Sequence, residues 1–408
     1  MSSGRVAILG LGMQGKASLY DLVTNSSVSN ITVVDNQPHL DSYLEQYPQD
    51  RVSGKTIDVT DESQLLSLFA EVDLVIESLP GPMALPIGKL AARAGVHLVS
   101  SMYYTNPSES DPEKINYTRE ELNDVHQMAK QNGATILTEF GMDPGIDLVF
   151  GAQALQELDT VDEFYSYGAG FPDIKATDNP LKYKFTWSPI GVMRSYLRPG
   201  KIITRGEVKD IPGNRMFFEE NMHNIKIDEL GGILECFPNG NADYYAKLFN
   251  LKDSIKEMAR YVCRWPGHCA FWSVMANCGF LNETPVSLNG NPVSPVEFVS
   301  KILESQPQFR YREHEQDIAF IRVDVRGKVK GAKKKIIYQL IDKRDLETGF
   351  TSMQRTVGFT LSLGAQLILE GKLGQTGLVS PTEVPYHLVA EGLKRHGMQI
   401  VREELPWA

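Results

Sequence analysis

The sequence predicts an α/β fold in which a doubly wound parallel sheet is followed by an inserted α+β domain. A short apolar strand, Arg5–Gly10, runs into a glycine-rich turn and then a helix. Strand-like segments then alternate with helical segments as far as Leu137, the order that gives a parallel sheet. From about residue 160 that alternation gives way to strands separated by turns. We therefore predict three parts, with boundaries at 1–150, 151–350 and 351–408.

The turn after the first strand has the glycine spacing of a dinucleotide site. In its sequence, Gly-Leu-Gly-Met-Gln-Gly, the first glycine allows a tight turn and the second lets the backbone approach a pyrophosphate. The third lets the next helix pack close to the strand, and the N-terminal dipole of that helix would face the anion. This order is that of a Rossmann dinucleotide-binding domain. The predicted cofactor-binding residues of the turn are Gly10, Gly12, Met13, Gln14 and Gly15.

An acidic residue at the end of the second strand predicts which dinucleotide binds. Asp35 follows the apolar segment Ile31–Val34 and lies 20 positions after Gly15, where a carboxylate would accept hydrogen bonds from the adenosine ribose. Its charge would repel a 2′-phosphate, and the next two residues, Asn36 and Gln37, supply no cation. The sequence thus favours NAD over NADP. The alternative is that the glycines and Asp35 only make turns.

Further cofactor contacts are expected where the later strands end, because ligands of a doubly wound sheet lie at the carboxyl ends of its strands. The third predicted strand, 55–59, would place its last two residues beside the adenine. The residues expected at these strand ends are Asp58 and Val59, then Leu79 and Pro80, then Ser100, Ser101, Met102 and Tyr103.

Composition and charge exclude several classes of function. The formal net charge is −10, and the basic run 328–335 contains a glycine and lies between strand-like segments, so we predict a hairpin tip and no nucleic-acid binding. No apolar stretch is long enough to cross a bilayer, which predicts no membrane span. The N-terminal apolar segment leads directly into the glycine turn without a signal-peptide cleavage site, so we expect a cytoplasmic protein. The four cysteines lack zinc-ligand spacing, which predicts buried thiols and no metal site.

The middle of the chain has the pattern of an α+β domain, to which we assign substrate binding and dimerisation, and we expect a homodimer. Its predicted strands are 161–169, 202–208, 215–218, 225–235, 318–327 and 334–342. Its predicted helices are 188–198, 243–249, 253–261, 267–280 and 294–304.

Six segments, in order and spread over nearly the whole chain, resemble those of saccharopine dehydrogenases. Glu139–Asp147 contains a string close to the family's GLDPGIDH, and Asp178–Ser188 resembles DNPLGYKFSWS. The other four are His97–Tyr103 (HVVTSSY), Gly168–Pro172 (CGGLP), Arg264–His268 (RYxGH) and Thr351–Gly358 (TAMARTVG). The resemblance implies that the helices and strand of 351–408 return to the Rossmann domain.

The chain also departs from the glutamate-forming members of that family. Their YPNR segment offers an arginine to a substrate carboxylate, whereas this chain ends the segment with Gly240. Gly168 replaces the cysteine of CGG, and Asp35 stands where those NADP-using enzymes carry an arginine. The part from Ile321 to Val401 looks more like the lysine 6-dehydrogenases, which use NAD. The sequence is thus a hybrid of two subfamilies.

The resemblance implies an oxidoreductase that interconverts an amine and an imine by hydride transfer to a nicotinamide. Our leading hypothesis is an NAD(P)-dependent dehydrogenase acting at a CH–NH bond of a lysine-like diamino acid. With Gly240 in place of the arginine, one carboxylate of saccharopine would lack a partner, unless Arg194 or Arg198 replaces it. The alternatives are the glutamate-forming saccharopine dehydrogenase itself and a dinucleotide-binding sensor without catalysis. The intact glycines and Asp143 argue against the sensor.

An amino-acid substrate brings carboxylate and ammonium groups, so its site needs cations and a group that transfers protons. The candidates for the carboxylate are Arg264, as the principal anchor, Lys184 and Arg355, with Ser101 as a further substrate contact. The candidates for acid–base chemistry are Asp143, Tyr103 and His268. Each candidate also has a purely structural alternative. Asp143 could cap a helix that has Pro144 at its first position, and His268 could also cap a helix. Tyr103 could pack in the wall of the site without reacting, and Arg355 could form a salt bridge.

Overall fold

The computed structural model describes residues 4–109 and 111–407, and these form two compact units. The first unit comprises Met1–Val149 and Gln354–Met398, and the second comprises Phe150–Met353 and Gln399–Ala408. The strands are β1 (Arg5–Leu9), β2 (Asn30–Val34), β3 (Val52–Lys55), β4 (Leu74–Glu77), β5 (His97–Ser100), β6 (Thr135–Leu137), β7 (Thr160–Pro172), β8 (Gly200–Thr204), β9 (Glu207–Ile211), β10 (His223–Ile227), β11 (Gly232–Pro238), β12 (Glu257–Arg264), β13 (Val286–Leu288), β14 (Asn291–Val293), β15 (Asp317–Val329), β16 (Ala332–Lys343), β17 (Gly377–Val379) and β18 (Ile400–Pro406). The helices are α1 (Met13–Asn25), α2 (Leu40–Leu44), α3 (Glu62–Phe69), α4 (Ala84–Ala94), α5 (Pro112–Gln131), α6 (Ile146–Gln156), α7 (Pro189–Ser195), α8 (Ala242–Leu248), α9 (His268–Asn277), α10 (Pro295–Ser305), α11 (Ser352–Gln354), α12 (Thr360–Leu369) and α13 (Tyr386–Arg395).

The first unit is built on a parallel sheet whose described strands follow the order β17-β6-β5-β4-β1-β2-β3. Each neighbouring pair in that order is parallel, and the strand order reverses between β1 and β4. The strands at this reversal are apolar and almost entirely buried, as strands covered on both faces are. This is the predicted doubly wound sheet, and its crevice lies where the order reverses.

The C-terminal helix α12 belongs to the core of the first unit. Every residue from Thr360 to Ile368 is buried. The helix packs on α1, β4 and β5, and the preceding turn also approaches α1, where the Ser18 hydroxyl donates to the Gly358 carbonyl over 2.8 Å. The parallel sheet of the first unit therefore depends on a segment that comes after nearly all of the second unit in the sequence.

The second unit is built on a mixed sheet in the order β10-β11-β12-β7-β15-β16-β18, with β8 beside β12 and β9 beside β8. The basic run 328–335 lies at the tip of the β15–β16 hairpin, as predicted, with Lys330 and Gly331 in the turn. One face of the sheet carries a large aromatic core that includes Tyr183, Tyr196 and Trp272.

Several expectations about local structure are wrong. The segment 253–261 does not form a helix, because its second half enters β12, a central strand that pairs with β11 and β7 and buries Met258 and Ala259. The segment 215–218 forms no strand but follows a short 3-10 turn. The third strand of the first sheet ends at Lys55, so Asp58 and Val59 lie in the loop beyond it.

The last strand also differs from expectation. β18 does not return to the Rossmann sheet but pairs with β16 in the second unit. The C-terminal segment instead adds β17 to the first sheet, beside β6.

Within the described ranges, no helix combines the length and apolar character needed to cross a membrane. Three of the cysteines are buried as expected, but Cys278 is exposed.

Candidate functional site

The β1–α1 turn of the first unit has the shape that its glycines predict. Gly10 has a φ of +91°, and a Cβ there would meet the Ser78 carbonyl oxygen at 2.8 Å. A Cβ on Gly15 would lie 1.9 Å from the Gly10 carbonyl oxygen, so only glycine allows this approach of helix to strand. The start of α1, at Gly12, has no side-chain cap, which leaves its first N–H groups available to an anion.

A cavity of about 630 Å³ opens beside this turn at the carboxyl ends of the strands. The predicted cofactor residues that line it are Gly10, Gly12, Gln14, Asp35, Asp58, Val59, Leu79 and Pro80. Two other predicted residues, Met13 and Gly15, do not line the cavity. Met13 is 40% exposed, and Gly15 packs against the Gly10 carbonyl beneath the turn. Ser101 and Met102, which the sequence placed at a strand end, also line the cavity. The lining residues that the sequence did not predict as ligand contacts are Val34, Asn36, Gln37, Ile57, Thr60, Ser78 and Met83.

The carboxylate of Asp35 is bonded to the backbone around it. One oxygen accepts from the Leu11 N–H over 2.6 Å and the other from the Gln37 N–H over 2.9 Å. Asp35 therefore stabilises the glycine turn and the loop after β2. An aspartate at this position is therefore explained by its bonds to these loops as well as by binding of a ribose.

The other predicted residues of the first unit lie near the strand ends but differ in their contacts. Ser101 lines the dinucleotide cavity, and Tyr103, one residue beyond Met102, is half-buried. Asp143 is half-buried and precedes Pro144 in a cis peptide bond. The Asp143 helix-cap prediction is wrong, because α6 begins at Ile146, and Pro144 is not its first residue.

Arg355, a predicted contact of the substrate carboxylate, interacts with residues of its own unit. Its guanidinium lies 5.5 Å from the Phe359 ring and donates to the His396 carbonyl over 2.8 Å. That carbonyl ends α13, where a cation is favoured by the helix dipole. The contact is structural and lies within the first unit.

In the second unit, Arg264 is a buried cation at the end of β12. It is 5% exposed, its guanidinium lies 5.0 Å from the Tyr183 ring, and Nη1 donates to the Cys263 carbonyl over 2.8 Å. No carboxylate in the described ranges pairs with it, and its Nε has no hydrogen-bond partner there. The carboxylate of Glu235, its register partner on β11, instead accepts from Gly267 and Cys269 at the start of α9. Arg264 is thus a desolvated cation that lacks an anion.

His268 lies in the same buried cluster as Arg264. Burial, together with the charge of Arg264, holds the pKa of His268 well below its usual value, so the imidazole is neutral near pH 7. Its Nε2 lies 2.9 Å from the Tyr196 hydroxyl, and burial raises the pKa of that tyrosine. His268 opens α9, but the structure shows no capping bond from its side chain. The pair can share a proton but does not carry a charge.

Lys184 differs from Arg264 because its charge is already neutralised. The ammonium is fully buried and lies 2.8 Å from each Glu315 oxygen and 2.9 Å from Asp178. Arg312 extends this network to the surface. Two protein carboxylates occupy the ammonium in this structure, which argues against the prediction that Lys184 binds a substrate carboxylate.

Gly240 stands where glutamate-forming saccharopine dehydrogenases carry an arginine, but Arg260 lies beside it. A Cβ on Gly240 would lie 3.9 Å from Nη1 of Arg260, a side chain on β12 that is 8% exposed. That nitrogen donates to the Tyr245 hydroxyl. Arg194, which the sequence offered as a replacement, instead pairs with Glu283 and Glu297 on the surface.

Two family models cover most of the chain. Residues 6–137 match the model described as "Saccharopine dehydrogenase NADP binding domain", and residues 141–398 match "Saccharopine dehydrogenase C-terminal domain". The alpha-aminoadipic semialdehyde synthase of Arabidopsis thaliana is 24% identical over 426 residues, covering 86% of this chain and 38% of the relative. The chain thus spans less than half the length of that relative. The "Saccharopine dehydrogenase [NADP(+), L-glutamate-forming]" of Schizosaccharomyces pombe is 21% identical over 448 residues, covering 93% of this chain and 94% of the relative.

The fold also matches a solved structure. Saccharopine dehydrogenase (L-Glu forming) from Saccharomyces cerevisiae, in its apo form, superimposes with a TM-score of 0.82 at 20% identity, covering 98% of this chain and 100% of that one. At this identity the match establishes the shared fold.

These comparisons correct the predicted cofactor. The sequence favoured NAD, with NADP as the less favoured choice, but the first unit matches an NADP-binding domain and the fission-yeast relative is named for NADP(+). The prediction is wrong because it treated the Asp35 charge as aimed at the ribose. In the structure two backbone N–H groups hold that carboxylate.

Proposed function

The chain belongs to the saccharopine dehydrogenase family of oxidoreductases, and from that premise we propose that it is an NADP-dependent dehydrogenase that oxidises saccharopine and releases L-glutamate. Relatives named for this activity support it over the lysine-like diamino acid that Gly240 suggested. The reaction breaks the C–H bond next to the secondary amine, and water then hydrolyses the resulting imine to the amine of glutamate and an aldehyde. When bound, NADP+ supplies the hydride acceptor.

The first unit has the features needed to hold such a dinucleotide. The uncapped start of α1 at Gly12 faces the cavity and would bind the pyrophosphate. For the 2′-phosphate, Asn36 and Gln37 offer neutral donors in the lining. Lys16 holds its ammonium 4.6 Å from the ring of Tyr43, on the helix that follows this loop, and would supply the cation.

The observation that carries the proposed substrate is the buried guanidinium of Arg264. A desolvated cation without a carboxylate partner is unfavourable, and a substrate carboxylate bound bidentately by the guanidinium would compensate it. An amino-acid substrate provides that group. Next to it, the neutral His268–Tyr196 pair can relay a proton, with one group accepting a proton as the other releases one, so that the net charge of the pair does not change. In the first unit, Asp143 and Tyr103 stay our predicted candidates for acid–base chemistry.

Arg260 removes the main argument against saccharopine as substrate. From the sequence, Gly240 leaves one of the three carboxylates of saccharopine without a cation. Because the Arg260 guanidinium lies beside Gly240, a cation is present at this place although residue 240 carries none. A substrate with several carboxylates is then compatible with the second unit.

The test measures activity with each substrate in combination with each cofactor. Initial rates of NADPH or NADH formation are measured with saccharopine, lysine and ornithine, and glutamate is identified by mass spectrometry. We expect kcat/KM for saccharopine with NADP+ to exceed every other combination by at least about tenfold, equivalent to about 1.4 kcal/mol. Arg264→Met should abolish most of this rate, whereas Arg194→Met, which removes a surface arginine of the same unit, should not. A higher kcat/KM for lysine or ornithine, or for NAD+, would contradict the proposal.

A further inference from the structure

A buried carboxylate lies directly beneath the cavity of the first unit. Glu77 is the last residue of β4 and is fully buried. One of its oxygens accepts from the Leu79 N–H over 2.7 Å, and the other accepts from the Ser100 hydroxyl over 2.5 Å. The same hydroxyl accepts from the Met102 N–H over 3.0 Å. A single carboxylate thus connects the loop after β4 with the loop after β5.

Both loops lie at the end of the cavity that would receive the nicotinamide. The ends of β2 and β3 contribute Asp35, Asp58 and Val59, which places the adenosine half over that side of the sheet. The pyrophosphate belongs at the start of α1, between the two halves. The other half of the dinucleotide then extends over β4 and β5, where Leu79 and Met102 line the cavity.

We propose that Glu77 is a positioning residue that, in its ionised form, fixes the Leu79 and Ser100–Met102 backbone in the shape that binds the nicotinamide half of the cofactor. The inference rests on the proposed binding of NADP(H), but not on the identity of the substrate. Glu77 itself does not line the cavity and would act through the two loops that it connects.

The hydrogen bonds require the ionised carboxylate. The Leu79 N–H can only donate, and the Ser100 oxygen already accepts from Met102, so its proton needs an acceptor. A protonated Glu77 would offer one oxygen fewer as acceptor and would leave one of these donors without a partner. Protonation would therefore loosen one of the two loops.

The surroundings of Glu77 place its protonation within the physiological range. Burial raises its pKa to about 7, although the Ser100 and Leu79 bonds act in the opposite direction. The titratable group facing it in the described structure is the buried hydroxyl of Tyr104, which carries no charge near neutral pH. β1 contributes Leu9 at this register, and α12, packed on β4 and β5, has no charged side chain. The cations of α4 lie elsewhere, with Lys89 paired to Glu121 and Arg93 to Glu62.

The experiment compares two ligands that share the adenosine half. Dissociation constants for NADPH and for 2′,5′-ADP are measured between pH 5.5 and 8.5 by fluorescence and calorimetry, for the wild type and for Glu77→Gln. The ligand phosphates titrate near pH 6 in both proteins, so the variant-to-wild-type ratio of Kd cancels their effect. Asp73→Asn is the matched control, because Asp73 precedes β4 and forms an exposed pair with Arg5.

For NADPH we expect the ratio for Glu77→Gln to be about 10 at pH 8 and to approach 1 below pH 6, where wild-type Glu77 is also neutral. For 2′,5′-ADP the ratio should stay near 1 at every pH, a result that a general loss of structure would not give. Ser100→Ala should change NADPH affinity in the same direction.

Two results would overturn the inference. A pH-independent NADPH ratio near 1 would show that Glu77 does not position the nicotinamide end, and an equal loss for both ligands would show a merely structural role. Failure of the wild type to bind either ligand would instead overturn the proposed cofactor.

Discussion

Two of the buried cations in the second unit, Lys184 and Arg264, differ in whether a protein carboxylate pairs with them. Lys184 is neutralised by Glu315 and Asp178, whereas Arg264 has no such partner in the described structure. Removing one member of a buried pair leaves an unpaired charge, which costs about 3 kcal/mol or more. Removing an unpaired buried charge relieves a desolvation cost instead. The structural and functional roles of the two residues should therefore separate experimentally.

The first prediction uses this contrast. Lys184→Met should lower the free energy of unfolding by about 3 kcal/mol, because Glu315 is left buried with only Arg312 near it, and should change KM for saccharopine little. Arg264→Met should leave the free energy of unfolding equal or higher and raise KM about 100-fold, equivalent to about 2.7 kcal/mol. Urea denaturation and steady-state kinetics on both variants measure these effects. If Lys184→Met raised KM and Arg264→Met lowered the free energy of unfolding, the structural and binding roles of the two residues would be reversed.

The second prediction concerns the pH dependence of stability that arises from Glu77. Its pKa rises from 4.5 to about 7 on folding, so the folded protein binds this proton more tightly than the unfolded chain does. The resulting stabilisation is complete below about pH 4.5 and is lost as pH rises through 7, a change on the order of 3 kcal/mol. Glu77→Gln cannot titrate, so its free energy of unfolding relative to wild type should increase by that amount between pH 4.5 and 8.

Urea titrations across this range check the second prediction. Asp73→Asn is again the control, because hydrogen bonds from Arg5 lower the pKa of Asp73 and move its titration below this window. A constant difference between Glu77→Gln and wild type would mean that Glu77 is ionised throughout. Bound NADPH should lower the pKa of Glu77 if the ionised form binds it, since the linkage is reciprocal.

At the scale of elements, two glycines of the β1–α1 turn have different roles. One is needed for packing, and the other leaves space for a ligand. Gly15 has no room for a Cβ, whereas a Cβ on Gly12 would have no heavy atom within 4 Å and would point into open space. Gly12 also has a φ of −72°, which alanine adopts without strain. The two glycines therefore serve different ends although they belong to one motif.

The third prediction follows from that difference. Gly15→Ala should destabilise the protein by several kcal/mol, because its Cβ would lie 1.9 Å from a backbone oxygen. Gly12→Ala should leave stability within about 1 kcal/mol of wild type, or slightly higher, because alanine restricts the unfolded chain. Its methyl group would occupy the space that the pyrophosphate needs, and NADPH affinity should fall at least tenfold. Thermal unfolding and NADPH titration of both variants check this, and a Gly12→Ala protein with normal affinity would contradict the position of the pyrophosphate.

The elements that could be predicted from sequence are those with a local signal. The glycine turn, the apolar strands of the first sheet and the β15–β16 hairpin each carry their pattern within a single short stretch of sequence. β12 could not be predicted, because charged residues such as Lys256, Glu257 and Arg260 resemble a helix surface and only the strands on either side make it a central strand. β17 is very short, and its partner β6 precedes the second unit in the sequence, so nothing local to β17 indicates the pairing.

The same distinction applies to the sites. The residues of the glycine turn and Arg264 could be predicted as site residues because a motif or a resemblance marks them. Glu77 was missed, because in the sequence it is only an acid at the end of an apolar strand. Its burial and its link to Ser100 arise from the neighbouring strand β5. Likewise, nothing local to Lys184 predicts that Glu315, 131 residues away, neutralises it.

At the scale of the whole molecule, the first unit is discontinuous in sequence. Its N-terminal part, Met1–Val149, carries every residue that lines the dinucleotide cavity, but α12 and β17 come from Gln354–Met398. In α12 the side chains of Leu361, Leu363, Leu367 and Ile368 are at most 5% exposed. At about 1.5–3 kcal/mol for each, their burial amounts to roughly 6–12 kcal/mol, comparable to the whole stability of a typical domain.

The last prediction is that the N-terminal part does not fold without this segment. The fragment 1–149 should be unfolded by circular dichroism and should not bind 2′,5′-ADP. A chain in which a flexible Gly/Ser linker joins 1–149 to 354–398 should fold and bind 2′,5′-ADP within about tenfold of the full chain. A short linker is feasible because the two parts approach each other, with the Cβ position of Gly141 lying 3.6 Å from Val357. Leu363→Asp in the linked protein is the control, since it should abolish folding by burying a charge that has no partner. If 1–149 alone folded and bound 2′,5′-ADP, α12 would be a cover on a domain that is already complete, and the estimate from its buried side chains would be wrong.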